Sequence, residues 1–185
     1  MTAPTTPAAS DSSAGGSPDA SVSVVPGSGA VVTTQVDIGA VEGDAAQAVQ
    51  VGLGTAHAAV WAYGLISAYD TEDLALVRRC RLSNEQIRDS TSDLLSSVGV
   101  DPIATEVAYR LPLVVTDRAT ALQAAVAIEH DATNAWRAVV GSTGNYQLRR
   151  FALTALSDSA VRLTGWRVLA GVIPSTVPFP GNEPG

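Results

Sequence analysis

A glutamate in the middle of an apolar helix pattern constrains this chain more than any other feature. Residues 121–140 have the sequence ALQAAVAIEHDATNAWRAVV. Spacings of three and four residues connect the members of one helical stripe: Leu122, Val126, Glu129, Thr133, Trp136 and Val140. A carboxylate on a core-facing stripe has to be paired, protonated or bound to a metal, because an isolated buried charge is too costly. The group that satisfies Glu129 is therefore the first thing to identify.

Composition favours one helical domain with an acidic surface. Of the 185 residues, 46% are hydrophobic and only 16% are charged, so the chain can bury a sizeable core. Alanine-rich sequence with helical periodicity is typical of closely packed helices. The net charge of −7 argues against a nucleic-acid partner held through phosphates, although α-helical arginines cluster locally. These arginines are Arg78, Arg79, Arg81 and Arg88.

Other sequence signals limit the location and the chemistry. The single cysteine, Cys80, allows neither an internal disulfide nor a cysteine-based zinc site, and its helical position predicts a small core residue. No basic and apolar secretory signal is recognised, and no stretch reaches the roughly 20 apolar residues of a membrane helix. We therefore expect a cytoplasmic protein without a membrane partner. Gly-rich phosphate loops and Ser–His–Asp motifs are not found in the sequence.

The chain divides into two parts. Residues 1–43 predict a disordered tail rich in Ala, Ser, Pro and Gly, because apolar residues are confined there to short valine runs and a single isoleucine. A docking segment within residues 21–25 or 31–36 is the functional alternative for this tail. Residues 44–185 predict one helical domain.

Periodicity and capping signals predict four helices in that domain. Helix 1 is expected from Asp44 to about Tyr69, and helix 2 from the Asp70–Asp73 turn to about Val98. Helix 3 is expected from Thr116 or Asp117 to Gly141. Helix 4 is expected from a cap at Thr143 or Asn145 to about Gly171. Residues 99–116 form a long connection that contains two prolines. One long crossover between helices 2 and 3 is the ferritin-like variant of the four-helix bundle. We further expect Phe179, in the extended C-terminal segment, to fold back on the bundle.

Four sequence segments together resemble a known family. They are AHAAVWAYGLISAY in helix 1, AIEHDATNAWRAVV in helix 3, AVRLTGWR in helix 4 and the closing FPG. Over about residues 45–181 the chain resembles the actinobacterial ferritin-like family called domain of unknown function 4439. The resemblance implies an all-α, ferritin-like four-helix bundle and no established activity.

The ligands of a ferritin-like di-metal site are largely missing from this chain. Such a site takes a Glu from each of two helices and Glu-x-x-His from each of the other two. In helix 2, Glu85 is followed by Arg88 where the histidine would stand. In helix 3, His130 directly follows Glu129 and so points about 100° away from it. Helix 4 supplies Asp158 but no histidine, and helix 1 has no internal glutamate.

We therefore expect a buried polar cluster in place of the metals. Guanidinium groups match carboxylates bidentately and tolerate burial better than ammonium groups. The predicted members are Glu129, Arg162 and Arg88, with Asp158 or Glu85 as a further member.

Three functions remain open from the sequence. The first is a non-catalytic binding or protein-interaction module, with a homodimer as one arrangement. The second is a divergent oxidoreductase that binds iron or manganese through Glu129, His57 and His130. The third is a small-molecule binder with an apolar pocket in the bundle core.

Overall fold

The computed structural model describes residues 39, 41 and 43–182. Their backbone forms four helices, which are α1 (Gly43–Tyr69), α2 (Leu74–Ser97), α3 (Arg118–Ser142) and α4 (Tyr146–Leu169). Across these described residues no strand occurs, so the predicted all-α four-helix bundle is confirmed. The predicted disordered tail and its candidate docking segments lie outside the described residues, apart from a few positions next to α1.

Capping side chains explain where α3 and α4 begin. Asp117 precedes α3 and accepts a hydrogen bond from the backbone N–H of Thr120 at 2.8 Å. The Thr120 hydroxyl in turn accepts from the backbone N–H of Asp117 at 3.1 Å, which completes a capping box. Asn145, not Thr143, caps α4, and its Oδ1 accepts from two backbone N–H groups of the first turn.

The start of α1 differs slightly from the prediction. The helix begins at Gly43, so Asp44 lies in its first turn instead of preceding it. A carboxylate there still lies near the positive end of the helix dipole. Helix ends commonly differ by one or two residues between methods of assignment, so the architecture is unchanged.

Helix α3 is the centre of the bundle. It packs against both α1 and α4, and α1 also packs against α2. Small side chains allow these helices to approach closely, and five alanines of α3 are buried: Ala121, Ala124, Ala125, Ala132 and Ala135. One core cluster contains Ile128 and Trp166, and a second contains Ala132 and Trp136. Glu129 therefore lies in α3 between residues of the two apolar clusters.

The middle of α2 has one polar face inside the bundle and another in solvent. Residues 78–93 contain only Leu82 and Ile87 as large aliphatic residues, a pattern that is compatible with solvent or with a polar interior. Asn84 and Thr91 are only 1% and 0% exposed, so one face of the stretch lies inside the bundle. Arg79 and Gln86 are exposed, so the stretch meets solvent as well. The Thr91 hydroxyl donates to the carbonyl of Ile87 at 2.6 Å, one turn earlier in the same helix. A buried hydroxyl is satisfied in this way without a partner from another helix.

The segments outside the helices are tied to the bundle by polar contacts. In the long connection, Gln50 of α1 donates to the carbonyl of Asp101 at 2.7 Å and accepts from the N–H of Ile103 at 2.9 Å. Phe179 is 77% exposed, so the expectation that its ring packs on the bundle is wrong. The C-terminal segment approaches α3 closely at Gly181 instead, since a Cβ there would lie 2.7 Å from the carbonyl oxygen of Thr133.

Among the residues that the structure describes, no helix combines the length and the hydropathy needed to span a bilayer.

Two glycines of α1 are expected to respond oppositely to alanine. A Cβ at Gly52 would lie 3.0–3.2 Å from the Trp136 ring, which also contacts Phe151 at a centroid distance of 5.7 Å. Overpacking costs about 1–3 kcal/mol and outweighs the roughly 1 kcal/mol gained from alanine's helix propensity. Gly52→Ala should therefore lower the free energy of unfolding by about 1 kcal/mol. Gly64→Ala meets no neighbour within 4 Å and should raise it by about 0.5–1 kcal/mol.

Urea denaturation of the two variants beside the parent chain measures both effects. Stabilisation by Gly52→Ala would contradict the tight contact with the Trp136 ring.

Candidate functional site

The carboxylate of Glu129 is the point where all four helices meet. Its side chain is fully buried. The Tyr63 hydroxyl of α1 donates to Glu129 Oε1 at 2.7 Å, and the Asn84 amide of α2 donates to the same oxygen at 3.2 Å. From α4, Arg162 Nε donates to Oε1 at 2.9 Å. One oxygen of Glu129 therefore accepts hydrogen bonds from each of the other three helices.

A second set of hydrogen bonds orients these three donors. Trp166 Nε1 donates to the Tyr63 hydroxyl at 2.7 Å, which leaves the hydroxyl proton directed at Glu129. Asn84 Nδ2 also donates to a backbone carbonyl one turn earlier in α2 at 3.0 Å. Arg162 Nη2 donates to Ser159 Oγ at 2.9 Å. Each donor to Glu129 is thus held in place by a further contact.

The pairing with Arg162 differs from the expected bidentate geometry. Arg162 uses Nε for Glu129 Oε1 and turns Nη2 to Ser159, which lies one turn earlier in α4. Glu129 Oε2 is buried and accepts no hydrogen bond from the residues that the structure describes. The guanidinium fork is therefore divided between a carboxylate and a hydroxyl.

The pKa values of the cluster follow from burial and from the charge of Glu129. Burial raises the pKa of Tyr63 well above its ordinary value, and Glu129 raises it further. Burial likewise raises the pKa of the Cys80 thiol, with Glu129 as the next cause. For Arg162, burial is the largest single cause and lowers the pKa, but the charge and hydrogen bond of Glu129, together with Tyr63 and Cys80, raise the net pKa. At neutral pH the cluster contains a protonated Tyr63, a neutral Cys80 thiol and a charged Arg162.

The other predicted members of the cluster lie at the surface and not at Glu129. Arg88 pairs with its neighbour Asp89 at 2.7 Å. Glu85 pairs with Arg81 at 3.1 Å, and Asp158 is exposed. The structure does not bring Arg88, Glu85 or Asp158 to the central carboxylate.

Helix geometry explains this outcome for Glu85 and Asp158. Neighbouring residues point about 100° apart in a helix. Asn84 occupies the inward position on α2, so Glu85 is turned towards the surface. Ser159 occupies the inward position on α4, so Asp158 is turned outward in the same way.

The two histidines proposed as alternative metal ligands do not join Glu129 either. His57 Nε2 is buried and has no hydrogen-bond partner among the described residues. Burial lowers the pKa of His57, and a backbone contact with Ile103 partly opposes this shift. His130 Nδ1 lies 3.3 Å from the side-chain nitrogen of Asn134, one turn further along α3. Within residues 43–182, no group of three His, Cys, Asp or Glu side chains is placed to hold a metal ion.

Two residues of the site were not recognised as members from the sequence. Tyr63 lies at helical spacing from Val49, Leu53, Ala56 and Val60, a pattern that predicts core packing and no polar role. Asn84 belongs to the polar middle of α2, where Cys80 and Thr91 share its buried face. The signal for Asn84 was its spacing from these two residues, which places all three on one side of the helix.

The fold and the site define a class of protein, a four-helix bundle with a polar centre to which every helix contributes. The model of a family described as a domain of unknown function, DUF4439, matches residues 48–184. The chain belongs to this family, as the sequence segments had predicted.

One solved structure extends the comparison. The chain is similar to a conserved hypothetical protein, rv2844, from Mycobacterium tuberculosis, with 35% sequence identity and a TM-score of 0.66. The match covers 70% of this chain and 99% of that chain. No match was found among curated proteins. The actinobacterial source of this relative agrees with the family resemblance.

Replacing Tyr63 by phenylalanine is expected to lower the free energy of unfolding by about 1–3 kcal/mol. The change removes one donor from Glu129 and leaves the buried Trp166 N–H without its acceptor. Urea denaturation followed by circular dichroism measures the loss. A variant as stable as the parent would show that these two hydrogen bonds are not formed.

The same variant should also change the alkaline pH dependence of stability. Once unfolded, Tyr63 ionises near pH ~10, whereas its folded pKa is raised by burial and by Glu129. Its contribution is complete below the unfolded pKa and is lost as the pH rises through the folded pKa. Above about pH 10 the parent should lose stability more steeply than Tyr63→Phe. Equal slopes for the two proteins would contradict the raised pKa.

Proposed function

We propose that this chain is a non-catalytic, ferritin-like bundle that acts as a protein-interaction module. In this proposal the guanidinium of Arg162 takes the central place that metal ions hold in ferritin-like enzymes. The observation that carries the proposal is the set of three protein donors on Glu129 Oε1, one from each other helix.

The chemistry of these donors favours a metal-free centre. Iron and manganese take several carboxylate or imidazole ligands. Around Glu129 the neighbouring groups are an N–H of Asn84, a hydroxyl whose proton points at the carboxylate, and a guanidinium cation. A divalent ion at this carboxylate would meet the positive charge of Arg162. In this proposal the positive charge that balances the Glu129 carboxylate is supplied by Arg162.

Exposed apolar side chains support the interaction part of the proposal. Val107, Ile173 and Phe179 are 99%, 93% and 77% exposed. Large apolar residues at the surface mark contact sites when they occur together, whereas single ones are ordinary. These side chains belong to the connection and to the C-terminal segment, and in this proposal they are available to a protein partner.

Metal analysis of the full-length chain tests the proposal. Protein from cells supplied with iron and manganese, purified without chelator, should contain far less than one metal ion per chain. Glu129→Gln should leave this content unchanged, as should the surface control Glu106→Gln. Stoichiometric iron or manganese that Glu129→Gln removes and Glu106→Gln retains would overturn the metal-free centre. That result would favour the divergent oxidoreductase.

A further inference from the structure

Helix α4 carries a solvent-facing stripe that the fold itself does not explain. We call it the α4 stripe, and its members are Tyr146, Arg150, Leu153, Ser157, Val161, Thr164 and Val168. Spacings of three and four residues place them on one face of the helix. Its large apolar members, Tyr146, Leu153, Val161 and Val168, are 71%, 52%, 73% and 60% exposed. The stripe extends over almost the whole helix, about 33 Å at 1.5 Å per residue.

The order of residues along the stripe is symmetric about Ser157. Leu153 and Val161 lie four residues to either side of it, and Tyr146 and Val168 lie eleven residues to either side. An interface with two-fold symmetry has to be complementary to itself. Two antiparallel copies of α4 that cross at Ser157 would set Leu153 against Val161 and Tyr146 against Val168. Every large apolar residue of the stripe would then face another one.

We infer that the partner of the α4 stripe is a second copy of this chain, paired with it through antiparallel α4 helices that cross at Ser157. The inference rests on the interaction role proposed above and names the partner. The two can fail separately, because metal content tests the central cluster and molar mass tests the stripe.

Charge selects the antiparallel arrangement over a parallel one. Arg150 is the charged member of the stripe, and it lies seven residues before Ser157, as far as Thr164 lies after it. Antiparallel crossing sets Arg150 opposite the hydroxyl of Thr164. A parallel pair in register would set Arg150 against Arg150 of the second copy, which like charges oppose. The small Ser157 side chain at the crossing point allows the two helices to approach closely.

The shape of the surface beside the stripe fits the same register. A groove of about 290 Å³ lies between α4 and the C-terminal segment, and Val161 and Thr164 form part of its lining. Val177 and Pro180 line it from the C-terminal segment. In the antiparallel pair, Leu153 of the second copy lies opposite Val161, at the edge of this groove. Each copy therefore presents Leu153 to the other copy, and its own Val161, beside the groove, faces the Leu153 of that copy.

Sedimentation velocity of the full-length chain tests the inference. The parent, of 18.9 kDa, should sediment as a dimer of twice that mass. Leu153→Glu and Val161→Lys, each alone, place two charges in the apolar contact and should raise the dissociation constant about tenfold or more. Together on one chain, the two changes set opposite charges against each other across the antiparallel pair and should restore the dimer.

A matched control keeps the test specific to the stripe. Leu82→Glu changes an apolar residue of α2 that is 54% exposed, close to the 52% of Leu153, and should leave the dimer intact. A monomeric parent, or a dimer that survives both single changes, would overturn the inference. A double variant that stays monomeric would overturn the antiparallel register. Circular dichroism of each variant confirms that it remains helical.

Discussion

Replacing Glu129 by alanine is expected to lower the free energy of unfolding by about 3–5 kcal/mol. The change leaves the largely buried guanidinium of Arg162 without its counter-charge. It also removes the acceptor of the Tyr63 hydroxyl and of the Asn84 amide, both inside the bundle. Stranding one partner of a buried pair costs far more than the pair contributes in net stability. Urea denaturation followed by circular dichroism measures the loss.

Two further variants identify the cause of the stability loss in Glu129→Ala. Glu129→Gln keeps the length of the side chain and an acceptor oxygen but removes the charge, so it should recover part of the loss. Glu106→Ala removes an exposed glutamate of the long connection and should change stability by no more than about 0.5 kcal/mol. If Glu129→Ala is as mild as this surface change, Glu129 is not a buried ionic partner.

Replacing Trp136 by alanine should produce a loss of similar size, about 3–5 kcal/mol, for a purely apolar reason. The Trp136 side chain is 1% exposed. Its ring meets Phe151 edge to face at a centroid distance of 5.7 Å and covers Gly52. Truncation removes this buried area and leaves a cavity, since the surrounding helices relax only in part. The midpoint of thermal or urea unfolding reports the change.

Trp61 provides the matched control for that variant. Trp61 is only partly buried and contacts Tyr109 at a centroid distance of 6.2 Å. Trp61→Ala removes the same number of atoms from a site that water already reaches. It should therefore cost clearly less than Trp136→Ala, and equal losses would contradict the placement of Trp136 in the core.

The helices and the burial of Glu129 could be predicted from sequence for simple reasons. The apolar spacing around Glu129 identifies the inner face of α3 whatever the neighbouring helices are. Arg162 could be proposed because a buried carboxylate needs a cation and no Glu-x-x-His motif supplies a metal site. Both arguments use only local pattern and the cost of burying charge.

The residue of α2 that reaches Glu129 depends on how far along its axis α2 lies against α3. Arg88 and Asn84 are one turn apart in α2, and the sequence favoured Arg88 because it carries a charge. In the structure Asn84 points inward, while Arg88 reaches the surface and pairs with Asp89. Tyr63 was missed because a tyrosine in an apolar stripe indicates core packing first. Residues one turn apart share a face of the helix, so periodicity does not resolve which of them lies level with Glu129.

A double-mutant cycle between Glu129 and Arg162 measures the interaction on which the metal-free centre depends. The cycle compares Glu129→Gln, Arg162→Met and the double variant with the parent by urea denaturation. The direct contact at 2.9 Å predicts a coupling energy of about 1–3 kcal/mol, with the double variant losing less than the sum of the single losses. If the losses of the two single variants sum to the loss of the double variant within about 0.5 kcal/mol, Arg162 does not balance the charge of Glu129.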